Sequence, residues 1–231
     1  MINNLSELES TIEYVFNDKT IIETVLTHRS YLNEHRDQDV EHNERLEFLG
    51  DAVLEVIVTD YLYKHYKNPE GELTSWRSAL VKGEQLSAIA ESIKLGNYLR
   101  MSRGESQSTG KARSIILANA LEALIGGLYL DGGIDITKKF VDKYIIAKLN
   151  EIIKSGSYKD AKSALQELTQ ENKGFTPEYR LISENGPDHA KQFEVGVWIG
   201  DEMIAKGSGN SKQAAEREAA SQALEIWQKN N

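Results

Sequence analysis

Residues Asn43–Ile57, "NERLEFLGDAVLEVI", decide how the chain folds and raise its first chemical question. Leu46, Phe48, Leu49, Ala52, Val53, Leu54, Val56 and Ile57 supply the apolar content of a core helix. Glu44, Glu47, Asp51 and Glu55 are threaded between them. At 3.6 residues per turn those four acids fall within an arc of roughly 80°. Like charges at this spacing weaken an isolated helix by about 0.2–0.5 kcal/mol per pair, and Gly50 costs a further ~1 kcal/mol relative to alanine. With apolar neighbours nearly all the way round, much of the helix is expected to be buried. A buried carboxylate cluster must be neutralised by protonation, a basic partner or a metal. Gly50 is expected to mark a close approach by another element. Taken alone, the stripe is equally well explained as a solvated acidic face.

A second segment weighs against that plain explanation. In "ILANALEALIGG", Ile116–Gly127, Asn119 and Glu122 stand at i and i+3 on another apolar helix. Two helices presenting oxygen ligands inward are how an all-α protein builds a cation site. Oxygen donors without cysteine or a histidine pair suit Mg²⁺ or Mn²⁺ rather than zinc. Such sites mostly do phosphoryl chemistry, which leaves phosphodiester hydrolysis, nucleotide pyrophosphate hydrolysis, or neither, open.

Working outward, helical periodicity runs from Leu5 to about Ile153, broken at "KNPEGELT", at "SRGESQSTGKA" and at Asp131–Gly133. "KSGSYKD" reads as a linker. Beyond it the pattern switches to a helix, three strand-length segments ("EYRLISEN", "QFEVGVWIG", "EMIAKGSG") and an alanine-rich helix. The expected domains are 1–153 and 160–231, with 154–159 between them. The 231 residues carry a net charge of −9, 40% apolar residues and no cysteine. That composition excludes disulfides and thiolate metal sites and argues against nucleic-acid binding by bulk charge. No leader and no apolar run approaching about 18 residues is read, so a soluble, cytoplasmic protein without a membrane partner is expected.

"NERLEFLGDAVLE" resembles the signature of ribonuclease III. "VLTHRSY", "NPEGELTSWRSALV" and "SIILANALEALIGGLYLDGG" follow in that family's order and spacing. The C-terminal "LQELTQ", "PEYRLISENGPDHAKQFEV" and "GSGNSKQAAEREAA" are similar to a double-stranded-RNA-binding domain. The resemblance implies an all-α endonuclease domain followed by a small α+β (α-β-β-β-α) RNA-binding domain. It also implies homodimeric, Mg²⁺-dependent cleavage of double-stranded RNA, with Mn²⁺ able to substitute, leaving 5′-phosphate and 3′-hydroxyl ends. The implied role is processing of rRNA and other structured transcripts.

By motif, Glu47, Asp51, Asn119 and Glu122 become metal ligands, and Asp51 and Glu122 the least replaceable pair. Glu44 and Glu70 match acidic positions at the cleft rim, Phe48 a place in the dimer interface, and Glu55 no functional position. Asn119 departs from the family's usual aspartate: its carbonyl oxygen can still coordinate, but a full charge is lost, and reduced metal affinity with retained activity is expected. In the RNA-binding domain the candidates are Gln166 and Gln170 on the first helix, His189 in a loop, and Ser211 and Lys212 at a helix start that favours phosphate. Gln213 stands where a second basic residue is usual, which implies weaker, salt-sensitive binding. Two other functions compete: a duplex-RNA binder that does not cut, and an all-α nucleotide pyrophosphatase, against which the RNA-binding domain counts.

Overall fold

The computed structural model describes residues 5–35, 40–156, 158, 161–187 and 191–230, the side chains of 171–173 and 228–230 excepted. The chain divides into two compact units, Met1–Tyr158 and Lys159–Asn231.

The first unit is helical: α1 (Leu5–Ile12), α2 (Lys19–Val25), α3 (Arg29–Glu34), α4 (Glu44–His65), α5 (Glu70–Leu80), α6 (Gly83–Ser92), α7 (Arg103–Ser106), α8 (Gly110–Tyr144) and α9 (Leu149–Ser155). The expected stop at Asp131–Gly133 is a kink within α8, where Gly133 takes φ 76°, a left-handed value that suits glycine. By length and composition α8 could pass for a membrane span. It is a core helix instead, with more than half of its most apolar stretch buried, against α4 and α6 above all.

α4 and α8 form the most extensive helix pair, and glycines set their approach. A Cβ on Gly50 would overlap the carbonyl oxygen of Glu122 and lie 2.8 Å from the backbone nitrogen of Gly126. A Cβ on Gly126 would in turn overlap the carbonyl oxygen of Leu46. The close approach expected at Gly50 is therefore real and mutual.

The expected burial of much of α4 holds for one face of the helix. Leu46, Val53, Leu54, Ile57, Val58 and Leu62 are buried, but Phe48 is 82% exposed, Val56 64% and Tyr63 75%. Apolar content marks a contact surface without saying whether the same chain covers it.

The start of α4 is pinned from behind. Asn43, buried, donates its side-chain amide to the carbonyl of Val25 (3.2 Å) and its backbone N–H to Thr27 (2.9 Å). Before α2, Asp131 of α8 gathers the N-terminal segment: it accepts from the Tyr14 hydroxyl (2.6 Å) and the backbone N–H groups of Asn17 (2.8 Å) and Asp18 (2.9 Å).

The second unit follows the expected order: α10 (Ala161–Lys173), β1 (Glu178–Asn185), β2 (Gln192–Ile199), β3 (Glu202–Gly209) and α11 (Lys212–Asn230). The sheet is antiparallel, in the order β1-β2-β3. Ala215, Ala219, Ala220 and Ala223 of α11, all fully buried, form a ridge of small side chains. Gly207 lets that ridge reach the sheet, since a Cβ there would overlap the backbone of Ala215 and Ala219. Leu165, Val197 and Ile199 complete the core.

Candidate active site

Between Ile116 and Leu128 every residue of α8 is buried except Asn119 and Glu122, which are half-buried. On α4 the facing acids are Glu47, half-buried, and Asp51, exposed. The Gly50–Glu122 contact brings the two pairs together, and their electrostatics register it. The Glu122 carboxyl is pushed up to about 7 by burial, then by the charges of Asp51 and Glu47. Glu47 is raised by burial and by Glu44 and Asp51, while a hydrogen bond from the Asn119 side chain opposes the rise.

All four groups are hard oxygen donors. None of the three carboxylates has a basic partner among the described residues. Three carboxylates that repel one another without a counter-charge fit a divalent cation better than they fit one another. Among the described residues no three acidic or histidine side chains are drawn tightly enough to enclose an ion.

The remaining candidates lie at varying distances from this cluster. Glu44 is on the same stripe one turn earlier, paired with Arg29 at 3.1 Å and His42 at 3.8 Å. Glu55 is exposed on the stripe. Glu70 is not brought to the cluster within the chain. It begins α5, accepts from Thr74 Oγ1 at 3.4 Å, and borders a hollow with Tyr63, whereas Glu47 and Tyr63 stand about 24 Å apart along α4. Phe48 is no core residue; it projects from α4 beside the cluster.

Sequence reasoning missed Arg29 and Gly126. The first stands in "THRSY", where only the motif drew notice; the second could have been found as a glycine one turn after Glu122 on an apolar helix.

In the second unit Gln166 and Gln170 are both exposed on α10, and Gln170 donates to Thr176 Oγ1 at 3.4 Å. Ser211 Oγ accepts from the Ala214 N–H at 3.1 Å, so it caps α11. Lys212 is exposed, with its ammonium 6.0 Å from the centre of the Phe193 ring. His189 lies outside the described residues.

Comparison with known proteins agrees with both halves. Residues 18–149 match the ribonuclease-III-like family and residues 161–226 the double-stranded RNA binding motif. The Ribonuclease 3 of Streptococcus gordonii is 43% identical over 215 residues, 91% of each chain. That of Carboxydothermus hydrogenoformans is 44% identical over 224 residues, 96% of this chain and 95% of its own. Among solved structures, the nuclease domain of ribonuclease III from Campylobacter jejuni superposes with a TM-score of 0.56 at 39% identity, over 62% of this chain and 97% of that one.

A helical unit with an open carboxylate cluster, followed by a duplex-RNA-binding fold, is the plan of an endoribonuclease directed at double-stranded RNA. The chain belongs to the ribonuclease III family.

Proposed function

We propose that the helical unit hydrolyses phosphodiester bonds of double-stranded RNA with Mg²⁺, or Mn²⁺ in its place, leaving 5′-phosphate and 3′-hydroxyl ends. Its substrates in this reading are rRNA precursors and other structured transcripts of the cytoplasm. The observation that carries the reading is Glu122, a half-buried carboxylate held near neutrality by burial and by two carboxylates from the facing helix. Glu47, Asp51 and Glu122 would hold the cation, with the Asn119 carbonyl oxygen as a fourth donor. A cation held there would supply Lewis-acid chemistry, activating a water and stabilising the leaving oxygen of an in-line displacement.

The protein's own residues do the rest. The glycine crossing fixes two rigid helices, so the donors stand on elements that move little. The Asn119 side chain steadies the Glu47 carboxylate. Glu44 and Glu70 orient the substrate or its water. Gln166, Gln170, His189, Ser211 and Lys212 hold the duplex by its grooves and phosphates.

Incubating the full chain with perfect duplex RNA, with and without Mg²⁺, tests the reading. Fragments are expected only with the metal; bound but uncut RNA would favour a binder that does not cut. Asn119→Asp is expected to lower the Mg²⁺ concentration for half-maximal cleavage several-fold, because a fourth carboxylate strengthens the hold on the ion. Superimposable titrations of the two proteins would remove the assigned cost of the amide.

The active form in this reading is a homodimer. Phe48, Ala52, Val56, Thr59 and Tyr63 lie within roughly 80° of one another on α4, beside the acidic stripe. Near Tyr63 is a hollow of about 410 Å³ lined by Thr59, Leu62, Leu73 and Arg77. A twofold axis near Val56 would set α4 antiparallel to its copy and bring each Phe48 to the other chain's hollow, an isologous contact. Glu70, on the hollow's edge, would then stand alongside the second copy's cluster. A Campylobacter jejuni relative is described as having a region involved in dimer formation. Phe48→Glu is expected to give monomers in sedimentation with a matching loss of cleavage. A dimer that survives this substitution would sink the arrangement.

A further inference from the structure

We propose that Arg29 is an RNA-phosphate contact at the mouth of the carboxylate cluster, and that it exchanges Glu44 for a substrate phosphate when the duplex binds. The inference rests on the reading of the chain as a duplex-RNA nuclease and adds a residue to which no role in that reaction has been given.

Arg29 is the first residue of α3, and the backbone around it is fixed on every side. The His28 N–H donates to the Arg100 carbonyl at 3.0 Å, and the Ser102 N–H donates to Ser30 Oγ at 3.0 Å. His28 Nδ1 accepts from the Ser30 N–H at 3.3 Å, and the Thr27 carbonyl accepts from Asn43 at 2.9 Å. From this anchored backbone the guanidinium reaches out, 67% exposed, to Glu44 at 3.1 Å. Fixed main chain with an exposed charged end is the arrangement expected of a contact residue rather than of a strut.

The charge balance requires such a residue. A polyanion must approach Glu47, Asp51 and Glu122 in a chain of net charge −9, so a permanent positive charge at the mouth lowers the barrier to its approach. His28 does not serve, since burial pushes it below its ordinary value. Arg45 is close in sequence, but it pairs with Glu41 at 3.5 Å, and on α4 it points some 120–160° away from Asp51 and Glu47. Arg29, by contrast, reaches the first acid of the stripe, Glu44, at 3.1 Å.

A guanidinium can grip a phosphate with two parallel hydrogen bonds. Its present partner is an exposed carboxylate, and exposed ion pairs are weak and screened by salt, so the exchange is easily made. It also leaves Glu44 with His42 alone, at 3.8 Å, one turn from Glu47 and free to act on the substrate or its water.

The test is binding of the full chain to an RNA duplex of about 30 base pairs, long enough for the RNA-binding domain's span, in EDTA and over a range of salt. Arg29→Ala is expected to weaken binding several-fold and to flatten the dependence of log affinity on log salt by about one ion. Arg29→Lys should keep most of that slope, and Arg29→Gln should lose it. These two variants decide the matter should the alanine protein melt early. In a Glu44→Gln background the loss on removing Arg29 should grow, because the competing carboxylate is gone.

An unchanged slope in the alanine and glutamine variants overturns the proposal. A loss that is equal or smaller in the Glu44→Gln background overturns the exchange. A wild-type chain that does not bind duplex RNA overturns the nuclease reading and the proposal with it, whereas unchanged variants beside a binding wild type overturn the proposal alone.

Discussion

Replacing Glu122 by glutamine is expected to abolish cleavage while making the metal-free protein harder to melt. The loss of activity should exceed about 100-fold, the upper cost of disturbing even the groups that orient a metal ligand, with duplex binding in EDTA retained. The gain in stability follows from the raised Glu122 carboxyl, at about 7 in the fold against about 4.3 in an unfolded chain. A carboxyl raised on folding contributes stability that is fully present below its unfolded value and lost as pH climbs through the folded one. At pH 8 the charged Glu122 therefore opposes folding, and glutamine relieves it. Solvent screening at this half-open site keeps the effect to about 1 kcal/mol, or about 2–4 °C for a chain of this size. The sharpest check is a reversal. Without metal at pH 8 the variant should melt above the wild type, and with Mg²⁺ below it, because only the wild type gains from binding the ion. A wild type that gains nothing from Mg²⁺ would count against the assigned site.

Gly50→Ala should do the opposite of what helix propensity promises. Propensity alone gives alanine an advantage of about 1 kcal/mol in a helix interior. The added methyl, however, would enter the carbonyl of Glu122 and stand 2.8 Å from the nitrogen of Gly126. Both are backbone atoms that cannot turn aside as a side chain can. Overpacking of this kind costs about 1–3 kcal/mol and sometimes more, so the steric term wins and α4 and α8 must separate. The expected result is a lower melting temperature and a loss of cleavage out of proportion to it, since the helices that part are those that carry the carboxylates. An alanine protein that melts higher and cuts normally would mean that the crossing is looser than the structure has it.

The acidic stripe and the facing Asn119–Glu122 pair were legible in the sequence because burial and charge conflict there. The three strands were legible through alternation, and each falls within a residue of where the pattern put it. Other features were hidden for physical reasons. Periodicity finds apolar faces but not their covers, so Val56 counts toward a core helix although it is exposed, as Phe48 and Tyr63 on the same face are. Glu70 belongs to the motif set by order along the chain, yet the length of α4 carries it away from the cluster, which no spacing in sequence reveals. Arg29 was invisible because its significance lies in what it touches fifteen positions away.

The ribonuclease-III-like family match begins at residue 18, but the folding unit begins earlier. Leu8, Ile12 and Phe16 are buried in the same core as α4 and α8, and Asp131 takes its closest donors from Tyr14, Asn17 and Asp18. A chain trimmed to the matched span would keep every candidate ligand and still leave an apolar trough along α8 and a half-buried carboxylate without its Tyr14 and Asn17 donors. The borders of that matched span and the borders of stability are different lines on this molecule, and anyone dissecting it should cut along the second.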